Sequence, residues 1–310
     1  MPIPFEPDTL RARLRPLAEA TTLVPEEQAY RRFYGLPMPD AVRTQLGYFK
    51  VAHYRIAAQV WWPEQPPKAT FVLLHGYYDH MGLYRHVLEW ALGMGFAVLA
   101  CDLPGHGLSN GAEASIDDFA EYQLVLQGLL AQAGALQLPS PWHLCGQSTG
   151  GAILLDYLLT GAPLAALGET ILLAPLVRPY AWGRSKLSYQ LLSPFVKQIP
   201  RRFSANSTDL AFLDFIQRDP LQSRRLPVAW VGALARWVKM IEQAPPSLRS
   251  PLIVQGEADL TVDWRYNLKV LQDKFANPEV LLLPEARHHL ANESLALRQR
   301  YFAFLSQRLG

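Results

Sequence analysis

Cysteine is scarce in this chain, with Cys101 and Cys145 the two in 310 residues. At most one bridge is possible, so no disulfide framework can be built, and no Cys/His cluster has the spacing of a zinc site. Both cysteines fall in or beside apolar runs, as buried free thiols do. Charge is also sparse: charged residues make up 18% and the formal net charge is +2. That composition argues against disorder and gives no basic field for nucleic acid. Apolar stretches of about 18 residues are missing, so no transmembrane helix is expected. The start, Met1-Pro2-Ile3-Pro4-Phe5-Glu6-Pro7-Asp8, has no basic segment leading into an apolar core. No secretory leader is therefore expected, and a cytoplasmic, reducing compartment is the default. Internal repeats and low-complexity segments are absent too. What the chain does have is apolar residues, 50% of the total. They suffice for a large core in one domain carrying an insertion.

Residues 8–20 predict a short peripheral helix interrupted at Pro16, and 46–62 an antiparallel hairpin followed by a proline-rich loop at 63–68. A rhythm then begins. Short apolar runs at 70–74, 96–101, 142–145 and 170–174 alternate with helical stretches at 82–93, 116–134 and 151–160. It breaks between about 177 and 248, a tryptophan-bearing helical segment, and resumes with 251–256, a helix at 263–275, a strand at 279–283 and a last helix at 292–308. Apolar runs without alternation imply parallel strands buried on both faces, with crossover helices covering the sheet. The division expected is a core of 1–176 and 249–310 with a helical cap, or lid, at 177–248. Ligands bind beyond the carboxyl ends of such strands.

Gly146-Gln147-Ser148-Thr149-Gly150 has the G-x-S-x-G pattern. A strand turning sharply into a helix there would hold the serine at the apex, and the glycines would let the two elements pass closely. Backbone amides at the helix start could then bind a developing oxyanion. A serine hydroxyl needs a base within hydrogen-bond reach and a carboxylate to orient that base. Of the eight histidines only His288 and His289 follow Ser148. The acid is sought in the loop 256–263, where Glu257, Asp259 and Asp263 compete, and Asp263 suits the cap of the next helix.

The chain resembles the monoacylglycerol lipase and lysophospholipase branch of the α/β-hydrolases, the serine aminopeptidase-like group, from about residue 45 to 305. The resemblance rests on His75-Gly76 with Asp79-His80 and Tyr84, and on Asp102-x-x-Gly105-His106-Gly107-x-Ser109. It rests further on Gly146-x-Ser148-x-Gly150-Gly151, Gln255-Gly256-x-x-Asp259-x-x-Val262-Asp263 and Arg287-His288-x-x-x-Asn292-Glu293. It implies the α/β-hydrolase fold, a mostly parallel eight-stranded sheet flanked by helices with a helical lid. It implies a serine hydrolase with Ser148, Asp259 and His288 as catalytic triad, and an oxyanion hole from the backbone amides of Tyr77 and Thr149. The substrate implied is a carboxylic ester of medium or long acyl chain, a small-molecule or lipid ester, with no cofactor. An amidase or acyltransferase on the same triad, or a non-catalytic ligand-binding relative, are the alternatives. An amidase would need carboxylates for a substrate amine, and 170–208 has none.

Similar enzymes carry a small residue after His-Gly, where this chain has Tyr77 and Tyr78. The two rings either narrow the site or pack against the lid. Trp182, Trp230 and Trp237 are candidates, with Tyr78, for lining an acyl tunnel. His75, His80, His106 and His143 are read as structural, Asp102 and His106 as stabilising a tight turn. No metal is expected, because His75, Asp79, His80 and His86 do not complete a ligand set. Between Glu169 and Asp209 no acidic residue occurs, while Arg178, Arg184, Lys186, Lys197, Arg201 and Arg202 alternate with Leu187, Tyr189, Leu191, Leu192, Phe195, Val196 and Ile199. Such a basic lid can touch an anionic membrane peripherally, or form an ordinary solvated face.

Overall fold

The computed structural model describes residues 5–20, 24–36 and 43–310. Residues 1–4, which begin the stretch read for a leader, lie outside them. Helices α1 (Pro7–Arg13) and α2 (Pro25–Tyr34) lead into the hairpin β1 (Thr44–Val51) and β2 (Tyr54–Trp61). Then follow β3 (Ala69–Leu74), α3 (Arg85–Gly93), β4 (Phe96–Cys101), α4 (Ala120–Ala135), β5 (Trp142–Gln147), α5 (Thr149–Thr160) and β6 (Leu167–Leu173). The segment 177–248 contributes α6 (Trp182–Leu192), β7 (Gln198–Pro200), α7 (Leu210–Arg218), β8 (Arg225–Pro227) and α8 (Val228–Gln243). The chain closes with β9 (Leu252–Gly256), α9 (Trp264–Lys274), β10 (Glu279–Leu283) and α10 (Leu295–Leu309).

Among the described residues, eight strands form one sheet in the order β1-β2-β4-β3-β5-β6-β9-β10, and β7 pairs with β8 in a second. Strand β2 runs antiparallel to both neighbours; the remaining pairings in the large sheet are parallel. Every residue of β3, β4 and β5 is buried, as continuous apolar runs require. The two-residue period of a strand divides them between two cores. Val72, Leu74, Ala97 and Leu99 face α4, α5 and α8. Phe71, Leu73, Phe96 and Val98 face α2, α3 and α10. Among the described residues no helix is long and apolar enough to cross a membrane.

Several boundaries differ from the sequence expectation for local reasons. Helix α4 starts at Ala120 rather than 116, because Glu121 Oε1 accepts from the amides of Asp117 and Asp118, and Asp118 Oδ1 from Ala120. The stretch 82–93 begins as a 3-10 turn, Met81–Leu83, and 292–308 follows another, Leu290–Asn292. The expected helix at 8–20 stops at Arg13, and Pro16 pairs with Tyr48 instead. Asp263 caps α9, accepting from Tyr266 N–H at 3.4 Å.

The crossing of β5 and α5 leaves no room for side chains. A Cβ on Gly146 would lie 2.3 Å from the Gly150 carbonyl, and one on Gly150 2.3 Å from Leu74 O. Gly146→Ala should therefore lose about 3 kcal/mol of stability by overpacking. Gly134→Ala, inside α4 with only Trp142 at 3.8 Å, should be neutral or gain up to about 1 kcal/mol. Urea unfolding of both variants measures the contrast.

Candidate active site

Ser148 stands at the β5–α5 turn with φ 52° and ψ −109°, a left-handed backbone that L-residues rarely adopt. The surrounding ladder holds it there. Ser148 N–H donates to Leu173 O at 2.8 Å, and Leu176 N–H donates to Ser148 O at 3.1 Å. The turn lifts the hydroxyl off the carboxyl end of the sheet, where the loops after β9 and β10 arrive.

Those loops bring the predicted partners together. The Ser148 hydroxyl donates to His288 Nε2 at 2.9 Å, and His288 Nδ1–H donates to Asp259 Oδ2 at 2.7 Å. Asp259 is 2% exposed, and its Oδ1 accepts from the amides of Thr261 and Val262. Burial opposes its charge, but His288 and those amides outweigh it and hold the carboxyl below its usual range. Burial likewise disfavours an imidazolium at His288, and the Asp259 charge and hydrogen bond overcome this, raising the pKa above 6.5. Of the rival acids, Asp263 caps a helix and Glu257 is half-exposed. The rival base His289 turns away, its Nε2 lying 3.1 Å from Asp79 Oδ2.

The Gly76-Tyr77 turn abuts the serine: a Cβ on Gly76 would lie 3.3 Å from Ser148 Cβ. Tyr84 OH accepts from Gly76 N–H and donates to Asp79 Oδ2, both at 2.9 Å, bracing this turn. Beneath it, His75 Nε2 accepts from Leu103 N–H at 2.8 Å. Burial drives the His75 pKa down to about 3, so it stays neutral. Asp102 accepts from Met81 and Leu108 amides, and His106 Nδ1 bonds Pro104 O. His80 pairs with Asp219 at 2.9 Å, and His143 Nδ1 accepts from Glu169 N–H. His86 lies beside Glu89 at 3.5 Å. The histidines considered for a metal thus point to separate partners.

A cavity of about 310 Å³ opens over Ser148. Trp182, Leu176, Trp230, Leu234 and Val262 line its apolar part, and Tyr78, Asp79, Arg201, Asn206 and His289 its polar part. Tyr77 and Tyr78 both line the cavity and pack on the segment 177–248. The Tyr77 ring stacks on Trp230 at 3.8 Å and its hydroxyl donates to Ala114 O. The Tyr78 ring lies 4.0 Å under the Arg201 guanidinium.

Two expectations need correction. Trp237 does not line the cavity. It lies two turns beyond Trp230 on α8, stacks on Phe119 at 4.8 Å, and donates its indole N–H to Asp156 Oδ2 at 3.0 Å. The basic stretch is not one solvated face either. Arg178 pairs with Glu242 at 2.6 Å, and Arg201 turns inward. Arg184, Lys186, Lys197 and Arg202 remain exposed beside Leu187, Leu191, Phe195 and Ile199. The Leu192 side chain lies outside the described part.

Three contributors stood in the motifs or the basic stretch with no role in the site assigned to them. Gln147 Nε2 donates to His288 O at 2.7 Å and anchors the histidine loop. Glu293 accepts from the Arg287 and Thr208 amides, tying that loop to the segment 177–248. Arg201 is distinguishable from its neighbours only by what folds around it.

An eight-stranded, mostly parallel sheet with a strained serine on a G-x-S-x-G elbow defines an α/β-hydrolase of the serine hydrolase class. The chain belongs to the Hydrolase_4 family, serine aminopeptidase S33, which matches residues 65–295. Monoacylglycerol lipase of Mycolicibacterium smegmatis is 27% identical over 267 residues, covering 83% of this chain and 94% of that protein. Human monoglyceride lipase is 28% identical over 249 residues, covering 76% and 80%. The fold matches a soluble variant of Saccharomyces cerevisiae monoglyceride lipase solved with a substrate analog. Its TM-score is 0.72 at 19% identity, covering 84% of this chain and 93% of that one.

The Trp237 correction is testable. Trp237→Phe removes the indole donor from buried Asp156 and should cost about 1–3 kcal/mol of stability. Thermal unfolding measures the loss, while fluorophosphonate labelling of Ser148 should proceed at the wild-type rate.

Proposed function

We propose that the protein hydrolyses carboxylic esters with a medium or long acyl chain, of monoacylglycerol or lysophospholipid type, through an acyl-enzyme on Ser148. The observation carrying this reading is the unbroken hydrogen-bond chain from the Ser148 hydroxyl through His288 to Asp259. His288 takes the serine proton as the oxygen attacks the ester carbonyl. Asp259 keeps the proton on Nδ1 and stabilises the imidazolium. The backbone amides of Tyr77 and Thr149 bind the oxyanion, and the alcohol leaves with the proton from His288. Water then attacks the acyl carbon, His288 again acting as base, to release the acid and regenerate Ser148.

The apolar wall supports an acyl chain, and the relatives' names support a lipid ester. In this reading 177–248 is a helical cap on a core of 1–176 and 249–310, supported by the cavity being walled from both sides. Ester is favoured over amide because Asp79, the carboxylate on the cavity wall, already faces Tyr84 and His289. It is poorly available to hold a substrate amine. The exposed side of α6 and the turn after it, with Phe195 85% and Leu191 64% exposed among the lysines, supports peripheral contact with an anionic lipid surface.

A fluorophosphonate probe should label the wild type and not Ser148→Ala. Because His288 must be neutral to act as base and its pKa is raised, kcat/KM should climb with pH through a midpoint above 6.5. Asp259→Asn should lower kcat by about 10⁴-fold. A pH-independent rate between about pH 5 and 8 would speak against a histidine base. Lys186→Glu with Lys197→Glu should weaken cosedimentation with phosphatidylglycerol vesicles and leave cleavage of a water-soluble ester unchanged; equal cosedimentation would remove the membrane contact.

A further inference from the structure

The cavity wall holds an arginine with no carboxylate in salt-bridge contact, although the more distant charges of Asp79 and Asp219 favour its cation. Arg201 leaves the end of β7 and passes between the Tyr78 and Phe203 rings, its guanidinium 4.0 Å and 4.3 Å from their centroids. Its Nη1 donates to two neutral acceptors, Gln222 Oε1 at 2.6 Å and Ser223 O at 3.1 Å. Among the described residues it forms no ion pair. Burial works against its charge. A half-buried guanidinium held on rings and neutral oxygens gains from an anion that reaches it through the cavity. The rest of its fork is left for a ligand, and a planar fork of donors suits the oxygens of a phosphate.

The surroundings agree. Arg202 lines the same cavity from its exposed side. The carboxylate of Asp79 is occupied by the Tyr84 hydroxyl and lies beside His289. Neither ring nitrogen of His289 makes a well-aligned hydrogen bond with the described residues, and Asn206 Oδ1 is buried without a donor. The cavity lining therefore combines two cations and the unpartnered Asn206 Oδ1 with apolar Trp182, Leu176 and Val262.

We propose that Arg201 is a specificity-determining residue that binds a phosphate on the alcohol half of the substrate, which makes the preferred ester a lysophospholipid rather than a neutral monoacylglycerol. This rests on the ester-hydrolase reading and extends it: the acyl chain lies along the tryptophans and the phosphorylated alcohol against Arg201. Hydrolysis adds water across the acyl C–O bond and leaves the phosphate ester intact. Arg201 clamps the Tyr78 ring as well, so the phosphate would bind beside the turn that carries the Tyr77 amide.

The test compares octanoylglycerol with octanoylglycerol phosphate, both below their aggregation limits, on the full chain. The wild type should favour the phosphate by about tenfold or more in kcat/KM. In Arg201→Gln that ratio should fall to about one, and Arg201→Lys should restore part of it as a point charge without the fork. Glycerol 3-phosphate should compete with a neutral nitrophenyl ester on the wild type, and glycerol should not. This last measurement decides the matter if the variants do not fold. A wild type that cleaves both esters equally, a preference that survives Arg201→Gln, or inhibition by inorganic phosphate as strong as by glycerol 3-phosphate would each overturn the inference. Ester hydrolysis itself would stand in those cases. Absence of both ester cleavage and Ser148 labelling would instead remove the underlying reading.

Discussion

The contact between the backbones of Gly146 and Gly150 is the constraint on which the site depends. It lets α5 leave β5 at an angle that any side chain would block, and it forces Ser148 into a left-handed backbone conformation. Such strain costs on the order of 1–3 kcal/mol, and it persists where neighbouring structure over-determines it. Here β3 on one side and β6 on the other do so, through the Leu74 carbonyl packed on Gly150 and the Leu173 bond to the Ser148 amide. Relaxing the turn would return the serine hydroxyl toward the sheet, out of reach of His288.

The loops that meet the serine use the same economy of space. Gly256 lets the end of β9 pass the carbonyls of Ala286 and Arg287, the stretch leading into His288. Gln147, beside the serine, reaches across to the His288 carbonyl and ties the elbow to the histidine loop. Polar groups under this arrangement are arranged in pairs. Asp259 faces His288 and Asp79 faces Tyr84 and His289. Asp219, from the segment 177–248, faces His80 and Tyr34. Those last bonds fasten the segment to α2 and to the turn after β3. Arg201, half-buried on the cavity wall, makes its direct contacts with rings and neutral oxygens.

Much of this was legible along the chain. The short apolar runs at 70–74 and 96–101 read as strands covered on both faces, because they are too short for helices and carry β-branched and aromatic residues between turn signals. The pattern around Ser148 declared a strand-turn-helix because each residue type there answers a local steric demand. Asp263 was readable as a cap for the same local reason. Helix starts were less so. The start of α4 moved four residues because Glu121 reached back to amides that a hydrophobic pattern does not register.

What the sequence by itself determined is therefore the alternation of buried strands and helices on either side of 177–248, and the short list of groups able to do acyl-transfer chemistry; α2, the β7–β8 pair and the order of strands in the sheet came from the tertiary structure. The residues narrowed the base to two adjacent histidines and the family resemblance favoured His288; tertiary packing is what turns His288 to Ser148 and His289 to Asp79. The same holds for the tryptophans, which look alike in composition. Trp230 faces the cavity and Trp237, two turns on, closes over Phe119 and Asp156. It holds too for Arg178 and Arg201, indistinguishable from surface cations until Glu242 and Tyr78 were brought beside them. Local rules act on neighbours in sequence, whereas the direction of a side chain is set by whichever distant element packs against it.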